Sequence, residues 1–314
     1  MEIMNAFVCK RYGSPEILQL QQCKVPTIRS SEILIRVYAT SVTNSDIFIR
    51  SSKVAKNLLI PFRLMIGIWG PRKKIIGQVF AGEIIQTGKS IKRFKKGDKV
   101  YGLTGFSLGA YAEFKKIKEH NSKKGCVSLM PTNISYEEAT AAAYGGLLAL
   151  QFLEKKKIKE NDKVLIYGSA STSGITAVQY LKNLGAEVTS VCSEAKFDFV
   201  RSLGADKVLD YNNDDSIKKL EKYTLVFDCV GKARGSNLKK ACSQHISNQN
   251  DFISIDDEAL VLSSERLERI KEFVERGVIN PVNDRIYPFE EMVEAHKYVE
   301  LGHKTGNVAV TVAT

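Results

Sequence analysis

Residues Lys163–Cys192 read KVLIYGSASTSGITAVQYLKNLGAEVTSVC, and this stretch decides the fold. An apolar strand runs into a turn of very small residues, a helical pattern follows, and a second apolar strand begins at Glu187. Strand, helix and strand at this spacing predict a parallel, doubly wound sheet. Small side chains in the turn would let backbone N–H groups at the helix N-terminus reach a pyrophosphate. The stretch therefore predicts a Rossmann-type dinucleotide site.

The turn departs from the usual G-x-G-x-x-G spacing of such sites. Ser169 and Ser171 stand where the first two glycines are expected, and only Gly174 remains, with Gly168 one step upstream. On the turn alone, an ordinary connection in a sheet that binds no nucleotide stays an alternative. The residues that we expect to contact a cofactor here are Gly168, Ser171, Thr172, Ser173 and Gly174.

The end of the second strand indicates which nucleotide is bound. An Asp or Glu there would accept a hydrogen bond from the 2′-hydroxyl of an unphosphorylated ribose. Ser193 and Lys196 follow this strand instead, and Tyr211 ends the third strand, a set that suits a 2′-phosphate. Two alternatives stay open, because Glu194 could still face the ribose and Lys196 could be a solvated lysine in the first turn of a helix. The sequence favours NADPH over NADH.

The regions on either side of this stretch extend the pattern. Downstream, short β-branched or aromatic runs predict strands at Lys207–Asp210, Thr224–Asp228, Phe252–Ile255 and Leu260–Leu262, with a helix at Ala233–Cys242. Upstream, residues 1–125 carry short β-type segments, and Ser135 with Glu138 forms a capping-box pattern before a long helix to Leu153. The tail predicts helices at Ser264–Arg276 and Phe289–Leu301 and a strand at Val308–Val312, which we expect to join the N-terminal sheet.

Composition limits the class of protein. The 314 residues correspond to about two domains of ~150 residues, and 44% hydrophobic with 26% charged residues exclude disordered and low-complexity classes. Six scattered cysteines without a C-x-x-C pair predict free thiols in a reducing compartment. No apolar run approaches the ~20 residues of a membrane span, so we expect a cytoplasmic protein without membrane contact. The net charge of +11 requires that an anionic partner be considered.

The order of several motifs resembles the medium-chain dehydrogenase/reductase superfamily, in its zinc-free quinone oxidoreductase-like branch that includes zeta-crystallin. The matching stretches include Ala39–Asp46, Gly77–Ile84, Phe94–Gly102, Gly109–Glu113, the nucleotide turn, Phe227–Gly231 and Gly302–Val310. The resemblance covers nearly the whole chain. It implies a GroES-like β-rich catalytic domain over residues 1–127, completed by 279–314, with a Rossmann domain over 128–278 inserted between them. It also adds Val230, Gly231 and Asn307 to the expected cofactor contacts.

The resemblance also bears on a catalytic metal. Zinc-dependent relatives hold the ion with a Cys, a His and a second Cys or Asp, and the matching positions here are Thr43, Gln78 and approximately Tyr144. None of these side chains is a soft or imidazole ligand suited to Zn²⁺, so we expect no zinc. Without a Lewis acid, hydride transfer needs an activated acceptor. Quinones and α,β-unsaturated carbonyls qualify, because conjugation spreads the charge of the hydride onto an oxygen.

Three side chains are candidate catalytic donors to that oxygen, near the expected nicotinamide site. They are the hydroxyls of Thr43 and Tyr144 and the amide of Asn44. Structural alternatives stay open, since Thr43 could satisfy a strand end, Tyr144 could pack, and Asp46 could cap the helix that begins there. The leading interpretation is a zinc-independent oxidoreductase that transfers hydride from NADPH to a small quinone or enone.

Two alternatives belong to other functional classes. One is an NAD(P)-dependent alcohol dehydrogenase-like enzyme, and the other is a cofactor-binding or nucleic-acid-binding protein with little catalysis. Nucleic-acid binding is disfavoured because the basic runs Arg72–Lys74, Lys92–Lys96 and Lys155–Lys157 lie on separate elements without aromatic interleaving. In relatives the last strand of the Rossmann domain commonly forms the dimer contact. The connection Asp256–Ala259 before it is short here, so we expect an altered dimer edge and leave a homodimer open.

Overall fold

A computed structural model gives the fold of the chain. It describes residues 2–54, 56–232, 235–246, 248 and 251–313, apart from the side chain at position 57. The chain divides into two compact units: unit 1 comprises residues 1–143, 262–271 and 283–314, and unit 2 comprises 144–261 and 272–282. The domain ranges 1–127 with 279–314 and 128–278 stay predictions, since a domain is defined by independent folding.

Unit 1 is built on a seven-stranded sheet of mostly antiparallel strands. Its strands are β3 (Glu32–Ser41), β4 (Val79–Thr87), β5 (Lys99–Leu103), β6 (Phe114–Lys118), β7 (Cys126–Leu129), β13 (Asn283–Pro288) and β14 (Asn307–Thr311), and a separate pair is formed by β1 (Ile3–Cys9) and β2 (Leu18–Lys24). The order is β13-β14-β3-β4-β5-β7, with β6 also on β3. Strand β14 pairs antiparallel with β3, as the sequence predicts for the last strand.

Among the described residues, three α-helices belong wholly to unit 1. They are α1 (Asn44–Ser51), α2 (Leu59–Ile66) and α8 (Met292–Glu300). Their inner faces and the strands share one apolar core, which includes Ile33, Ile35, Phe80, Met292 and Val308. Two further helices, α3 (Tyr136–Leu153) and α7 (Ser264–Glu275), run from one unit into the other. The predicted capping box at the start of α3 forms, because Glu138 accepts from the Ser135 amide at 2.8 Å and Ser135 Oγ accepts from the Glu138 amide.

Unit 2 contains the predicted parallel sheet. Its strands are β8 (Lys163–Tyr167), β9 (Glu187–Cys192), β10 (Lys207–Asp210), β11 (Leu225–Asp228) and β12 (Phe252–Ser254), in the order β10-β9-β8-β11-β12. All neighbouring pairs are parallel. The connecting helices are α4 (Thr172–Asn183), α5 (Phe197–Ser202) and α6 (Asn237–Cys242). The predicted Rossmann-type α/β fold class is confirmed for this unit.

Two local predictions near the end of unit 2 need correction. The predicted strand Leu260–Leu262 is not paired into a sheet. The side-chain amide of Gln151 takes the place of a neighbouring strand, since its Nε2 donates to the Ala259 carbonyl at 3.0 Å and its Oε1 accepts from the Val261 amide at 2.7 Å.

The predicted helix Ala233–Cys242 is also shorter than expected. It begins at Asn237, because Ser236 acts as its N-cap and accepts from the Lys239 amide at 3.0 Å. Residues 233 and 234 lie outside the described residues. Among the residues that the structure describes, no helix is both long and apolar enough to cross a bilayer.

Candidate functional site

The carboxyl edge of the parallel sheet gathers most of the predicted cofactor residues. Strand β8 lies between β9 and β11, so the chain leaves β8 in one direction and later returns on its other side. Tyr167 ends β8 opposite Asp228, which ends β11. Ligands of open α/β sheets bind at such a reversal of strand order, outside the carboxyl ends of the strands. The turn after Tyr167 lies at this position.

Two glycines determine the path of the turn. Gly168 has φ +83°, and a Cβ atom there would lie 2.3 Å from Val230 Cγ1. A Cβ atom on Gly174 would lie 2.3 Å from the Gly168 carbonyl oxygen, which is too close for any other residue. The serines at the remaining glycine positions are accommodated, and buried Ser169 donates through Oγ to the Val191 carbonyl at 3.3 Å. The loss of two glycines therefore leaves the turn intact.

The first turn of α4 is suited to a pyrophosphate. Ser171 is the N-cap, and its Oγ accepts from the Gly174 amide at 3.1 Å. The first amides of a helix have no intrahelical acceptor, and the helix dipole adds partial positive charge there. The side chains of Thr172 and Ser173 are small and largely buried, so they do not project across these amides. The residues present fit a dinucleotide phosphate at this turn.

The ends of β9 and β10 bring the ribose-side candidates together. Asp210 pairs with Cys192, so Ser193 and Tyr211 leave the sheet side by side, and the Tyr211 amide donates to the Cys192 carbonyl at 3.3 Å. Burial raises the pKa of the Cys192 thiol to about 11, and the nearby charge of Lys196 acts in the opposite direction. Lys196 ends the short turn Glu194–Lys196 that follows this strand.

A buried ion pair that the sequence analysis missed supports the loop after β11. Lys239 Nζ lies 2.6 Å from Asp228 Oδ2 and donates to the Gly231 carbonyl at 2.7 Å. Ser254 Oγ also donates to Asp228 Oδ2, at 2.9 Å, while the Val230 amide donates to its Oδ1 at 3.1 Å. The pair thus holds the predicted contacts Val230 and Gly231 in place. Its only sequence signal is a carboxylate at the end of an otherwise apolar strand.

In unit 1, the candidate catalytic residues lie at the start of α1. Thr43 is the N-cap, and its Oγ accepts from the Asp46 amide at 3.2 Å and donates to Asp46 Oδ2 at 2.7 Å. The Thr43 amide donates to the same oxygen at 3.0 Å, which completes a capping box. The Thr43 hydroxyl is therefore engaged in helix capping. Asn44, the next residue, is exposed.

Asp46 belongs to a buried polar cluster that sequence reasoning did not find. Its side chain is fully buried, and burial raises its pKa from 3.8 to about 7, although hydrogen bonds from Thr43 act in the opposite direction. Burial raises the pKa of the Tyr111 phenol, and the charge of Asp46 raises it further. The Tyr111 hydroxyl lies 3.1 Å from His296 Nε2, and Arg50 Nε donates to His296 Nδ1 at 3.2 Å. The one local signal is Asp46 four residues before Arg50 on helix α1.

The remaining two candidates are Asn307 and Tyr144. Asn307 is buried in β14 and donates through Nδ2 to Thr140 Oγ1 at 3.0 Å and to Asn283 Oδ1 at 2.9 Å. Tyr144 is half-buried in α3 and is the first residue of unit 2. Asn307 therefore has a structural role within unit 1. The cofactor role of Asn307 and the catalytic role of Tyr144 stay predictions.

Within the described ranges, no group of three or more His, Cys, Asp or Glu side chains could hold a metal ion.

Comparison with known families gives matches along most of the chain. A model described as "Alcohol dehydrogenase GroES-like domain" matches residues 29–130. Two models described as "Zinc-binding dehydrogenase" match residues 174–244 and 258–310. The match to the first model confirms that unit 1 contains a GroES-like domain.

Individual proteins match over nearly the full chain. A 2-methylene-furan-3-one reductase of Solanum lycopersicum is 27% identical over 318 residues, covering 98% of this chain and 79% of the relative. An NADPH-dependent alkenal/one oxidoreductase, chloroplastic, of Arabidopsis thaliana is 25% identical over 316 residues, with coverages of 98% and 79%. The solved quinone oxidoreductase from Coxiella burnetii has the same fold, with a TM-score of 0.83, 23% identity and coverages of 99% and 100%.

Proposed function

Because the chain belongs to the medium-chain dehydrogenase/reductase superfamily, in its quinone oxidoreductase-like branch, we propose that it reduces enones or quinones with NADPH. The observation that carries the proposal is the turn of Gly168 and Gly174 that leads into α4 at the reversal of strand order. The two relatives are named as reductases of conjugated carbonyl compounds, and one name specifies NADPH.

Unit 2 supplies the residues that bind the cofactor. NADPH, when bound, supplies a hydride from its nicotinamide ring. The first-turn amides of α4 hold the pyrophosphate, and Ser193, Lys196 and Tyr211 hold the 2′-phosphate through hydroxyl hydrogen bonds and one positive charge. Glu194 is exposed and lies between Ser193 and Lys196 in the chain, so it is the group that would favour NADH. The NADPH preference therefore rests mainly on Lys196.

Unit 1 contributes a donor toward the substrate oxygen. Since the Thr43 hydroxyl donates its hydrogen to Asp46, we assign Thr43 a positioning role in holding the start of α1. The exposed amide of Asn44 is then the better donor for the oxygen that gains charge as the hydride arrives. Tyr144 is the second proposed donor, and the final proton comes from solvent.

We further propose that the reaction is independent of zinc. The support is the chemistry of the side chains at the positions that hold the ion in zinc-dependent relatives. Thr43, Gln78 and Tyr144 offer a hydroxyl, an amide and a phenol, none of which is a preferred Zn²⁺ ligand. A cytoplasmic location is likewise a proposal, and one relative named above is chloroplastic.

Titration of the protein with NADPH and with NADH, followed by nicotinamide fluorescence, tests the cofactor assignment. NADPH should bind more tightly. Lys196→Ala should raise the Kd for NADPH about ten- to hundredfold and change the Kd for NADH little, since a charged hydrogen bond contributes ~1.5–3 kcal/mol. The matched control Lys222→Ala removes an exposed lysine just before β11, at the opposite edge of the sheet, and should change neither constant. Failure to bind either nucleotide would overturn the proposal.

Turnover assays test the substrate class. The protein with NADPH should reduce a 2-alkenal or a 1,4-quinone and should not oxidise a simple alcohol with NADP⁺. Treatment with a chelator followed by metal analysis should leave the reductase rate unchanged. Alcohol oxidation that depends on added Zn²⁺ would favour the alcohol dehydrogenase interpretation instead.

A further inference from the structure

Helix α2 in unit 1 presents an apolar face to solvent. Leu59, Phe62 and Ile66 follow helical spacing and are half-buried. The opposite face consists of Ile60, Pro61, Leu64 and Met65, all of which are exposed. A surface helix of a globular protein normally turns charged or polar residues outward. An outward face without any polar side chain therefore needs an explanation.

The apolar surface extends beyond the helix. Its members, which we call the apolar platform, are Leu58, Ile60, Leu64, Met65, Ile68 and Trp69, each at least half exposed. Trp69 is the extreme case, with 87% of its surface exposed. Isolated exposed apolar residues are ordinary, whereas six within twelve consecutive positions (58–69) indicate an interaction surface.

The platform is held in this orientation by contacts behind it. The Tyr12 hydroxyl donates to the Gly67 carbonyl at 2.5 Å, and the Arg72 amide donates to the Ile66 carbonyl at 2.8 Å. Gly70 packs so closely on the preceding strand connection that a Cβ atom would lie 2.5 Å from the Lys10 carbonyl oxygen. These contacts fix one side of the segment to the protein. The outward position of Trp69 therefore follows from the fold.

The segment that carries the platform has only positively charged ionisable side chains in its neighbourhood along the chain. No Asp or Glu occurs between residues 47 and 82. The same stretch carries five exposed basic side chains, at Lys53, Lys56, Arg72, Lys73 and Lys74. Of the two other basic side chains in this stretch, Arg50 is buried and Arg63 is half-buried against Tyr12, with its guanidinium carbon 5.2 Å from the ring centroid. Part of the net charge of the chain is thus concentrated around an apolar surface.

We propose that the apolar platform docks on the surface of an anionic lipid bilayer. Aliphatic and indole side chains insert at the boundary between headgroups and acyl chains, while flanking Lys and Arg side chains face anionic headgroups. A second copy of the chain fits less well, because both sides of the contact would carry the same positive charge. A nucleic acid would match the charge but would give the exposed aliphatic side chains no apolar partner.

This surface contact differs from a membrane span, and it departs from the sequence expectation of a protein without membrane contact. It also stands independently of the proposed reductase activity, since the residues involved have no assigned role in cofactor or substrate binding. Loss of docking and loss of activity are therefore separable measurements.

Trp69 is the only tryptophan in the chain, so intrinsic fluorescence reports on the platform directly. The full chain is mixed with vesicles of phosphatidylcholine alone or of phosphatidylcholine with phosphatidylserine. Only the anionic vesicles should sediment with the protein and shift the Trp69 emission to shorter wavelength, and salt should weaken both effects. Absence of sedimentation and of the shift with anionic vesicles would overturn the proposal.

Two variants separate the apolar and charged contributions. Ile60→Ser with Leu64→Ser keeps the Trp69 reporter and should weaken vesicle binding by at least an order of magnitude, because each buried aliphatic side chain contributes ~1.5–3 kcal/mol. Neutralising Arg72, Lys73 and Lys74 to Gln should weaken binding about a hundredfold, at about fivefold per charge. Both variants should keep the reductase rate on a water-soluble enone.

The matched control neutralises three other exposed lysines of unit 1. Lys92→Gln, Lys95→Gln and Lys96→Gln remove the same charge from a loop outside the platform and should change vesicle binding little. Equal weakening in this control would show attraction by net charge alone and would overturn the proposal. An emission shift that depends on protein concentration without vesicles would assign the platform to self-association, and a shift on NADPH addition alone would assign it to the active site.

Discussion

The buried carboxyl of Asp46 should make the free energy of unfolding decrease as the pH rises from about 4 to about 7. Burial raises the pKa of this group from 3.8 to about 7 in the folded chain. In the unfolded chain the carboxyl ionises near pH 4, so across this window the folded state binds one more proton than the unfolded state. The stabilising contribution is fully present below pH 4 and is lost as the pH passes about 7.

Asp46→Asn removes this ionisation and keeps the cap. The amide oxygen of Asn can accept from the Thr43 amide and hydroxyl, as Asp46 Oδ2 does at 3.0 and 2.7 Å. A pKa difference of about three units corresponds to ~4 kcal/mol in total, of which about 2.5 kcal/mol falls between pH 5 and pH 8. The stability of the variant relative to the original protein should therefore rise by about 2.5 kcal/mol across that range. Buried His296, whose pKa is lowered by burial and Arg50, has the opposite slope, but it is present in both proteins and cancels.

Urea unfolding at pH 5, 6, 7 and 8, followed by far-ultraviolet circular dichroism, measures this difference. The matched control is Asp98→Asn. The Asp98 carboxylate also accepts a hydrogen bond from a backbone amide, that of Lys95 at 2.9 Å, but it is not buried. A stability difference for Asp46→Asn that stays constant to within about 0.5 kcal/mol would refute the reasoning. An equal rise in the control would trace the effect to the solution conditions rather than to burial.

Three further substitutions test other contacts. Gly168→Ala should destabilise the protein by about 1–3 kcal/mol more than Gly97→Ala. Both positions have positive φ, but only Gly168 lacks space for a Cβ atom. Thermal unfolding compares the two variants. Lys239→Met should lower the free energy of unfolding by about 3–5 kcal/mol, because buried Asp228 is left without its cation. Adding Asp228→Asn should restore most of this stability, and urea unfolding measures both variants. Burial and neighbouring lysines lower the pKa of Lys115 to about 7, so folding releases its proton between pH 7 and 10.5 and stability rises with pH. In urea unfolding, the free energy of unfolding of Lys115→Met relative to the original protein should therefore fall by about 2 kcal/mol from pH 7 to pH 9.

Most of the Rossmann unit could be predicted because its signals are local. β-branched runs bounded by glycine identify strands β8, β9 and β10, whose observed ends match the expected ones. Leu260–Leu262 has the same apolar composition and stays outside the sheet. Its backbone is instead hydrogen-bonded by the distant side chain of Gln151, and a contact across that separation leaves no periodicity in the sequence.

The candidate site, like the Rossmann unit, could be predicted only where its sequence signals are local. The phosphate turn is encoded in consecutive small residues, so its position follows from the sequence. The contact of His296 with Tyr111 joins residues 185 positions apart, and that of Lys239 with Asp228 spans a strand end and a loop without any periodic spacing. Such pairs become visible only when the strands are placed. The outward face of α2 was also missed, because an apolar run flanked by glycine and proline has the composition of a core segment.

The position of β14 in the sheet has a consequence for how the chain folds during synthesis. This strand lies between β13 and β3, yet it follows the whole of unit 2 in the sequence. The ribosome therefore synthesises all the strands of unit 2 before β14 is available to complete the sheet of unit 1. Until then, the edge of β3 that pairs with β14 has no partner from that strand, and unpaired edges promote aggregation. We expect the nascent GroES-like unit to be the segment that depends most on chaperones, and the rate of its final closure to be limited by a contact of very long sequence separation.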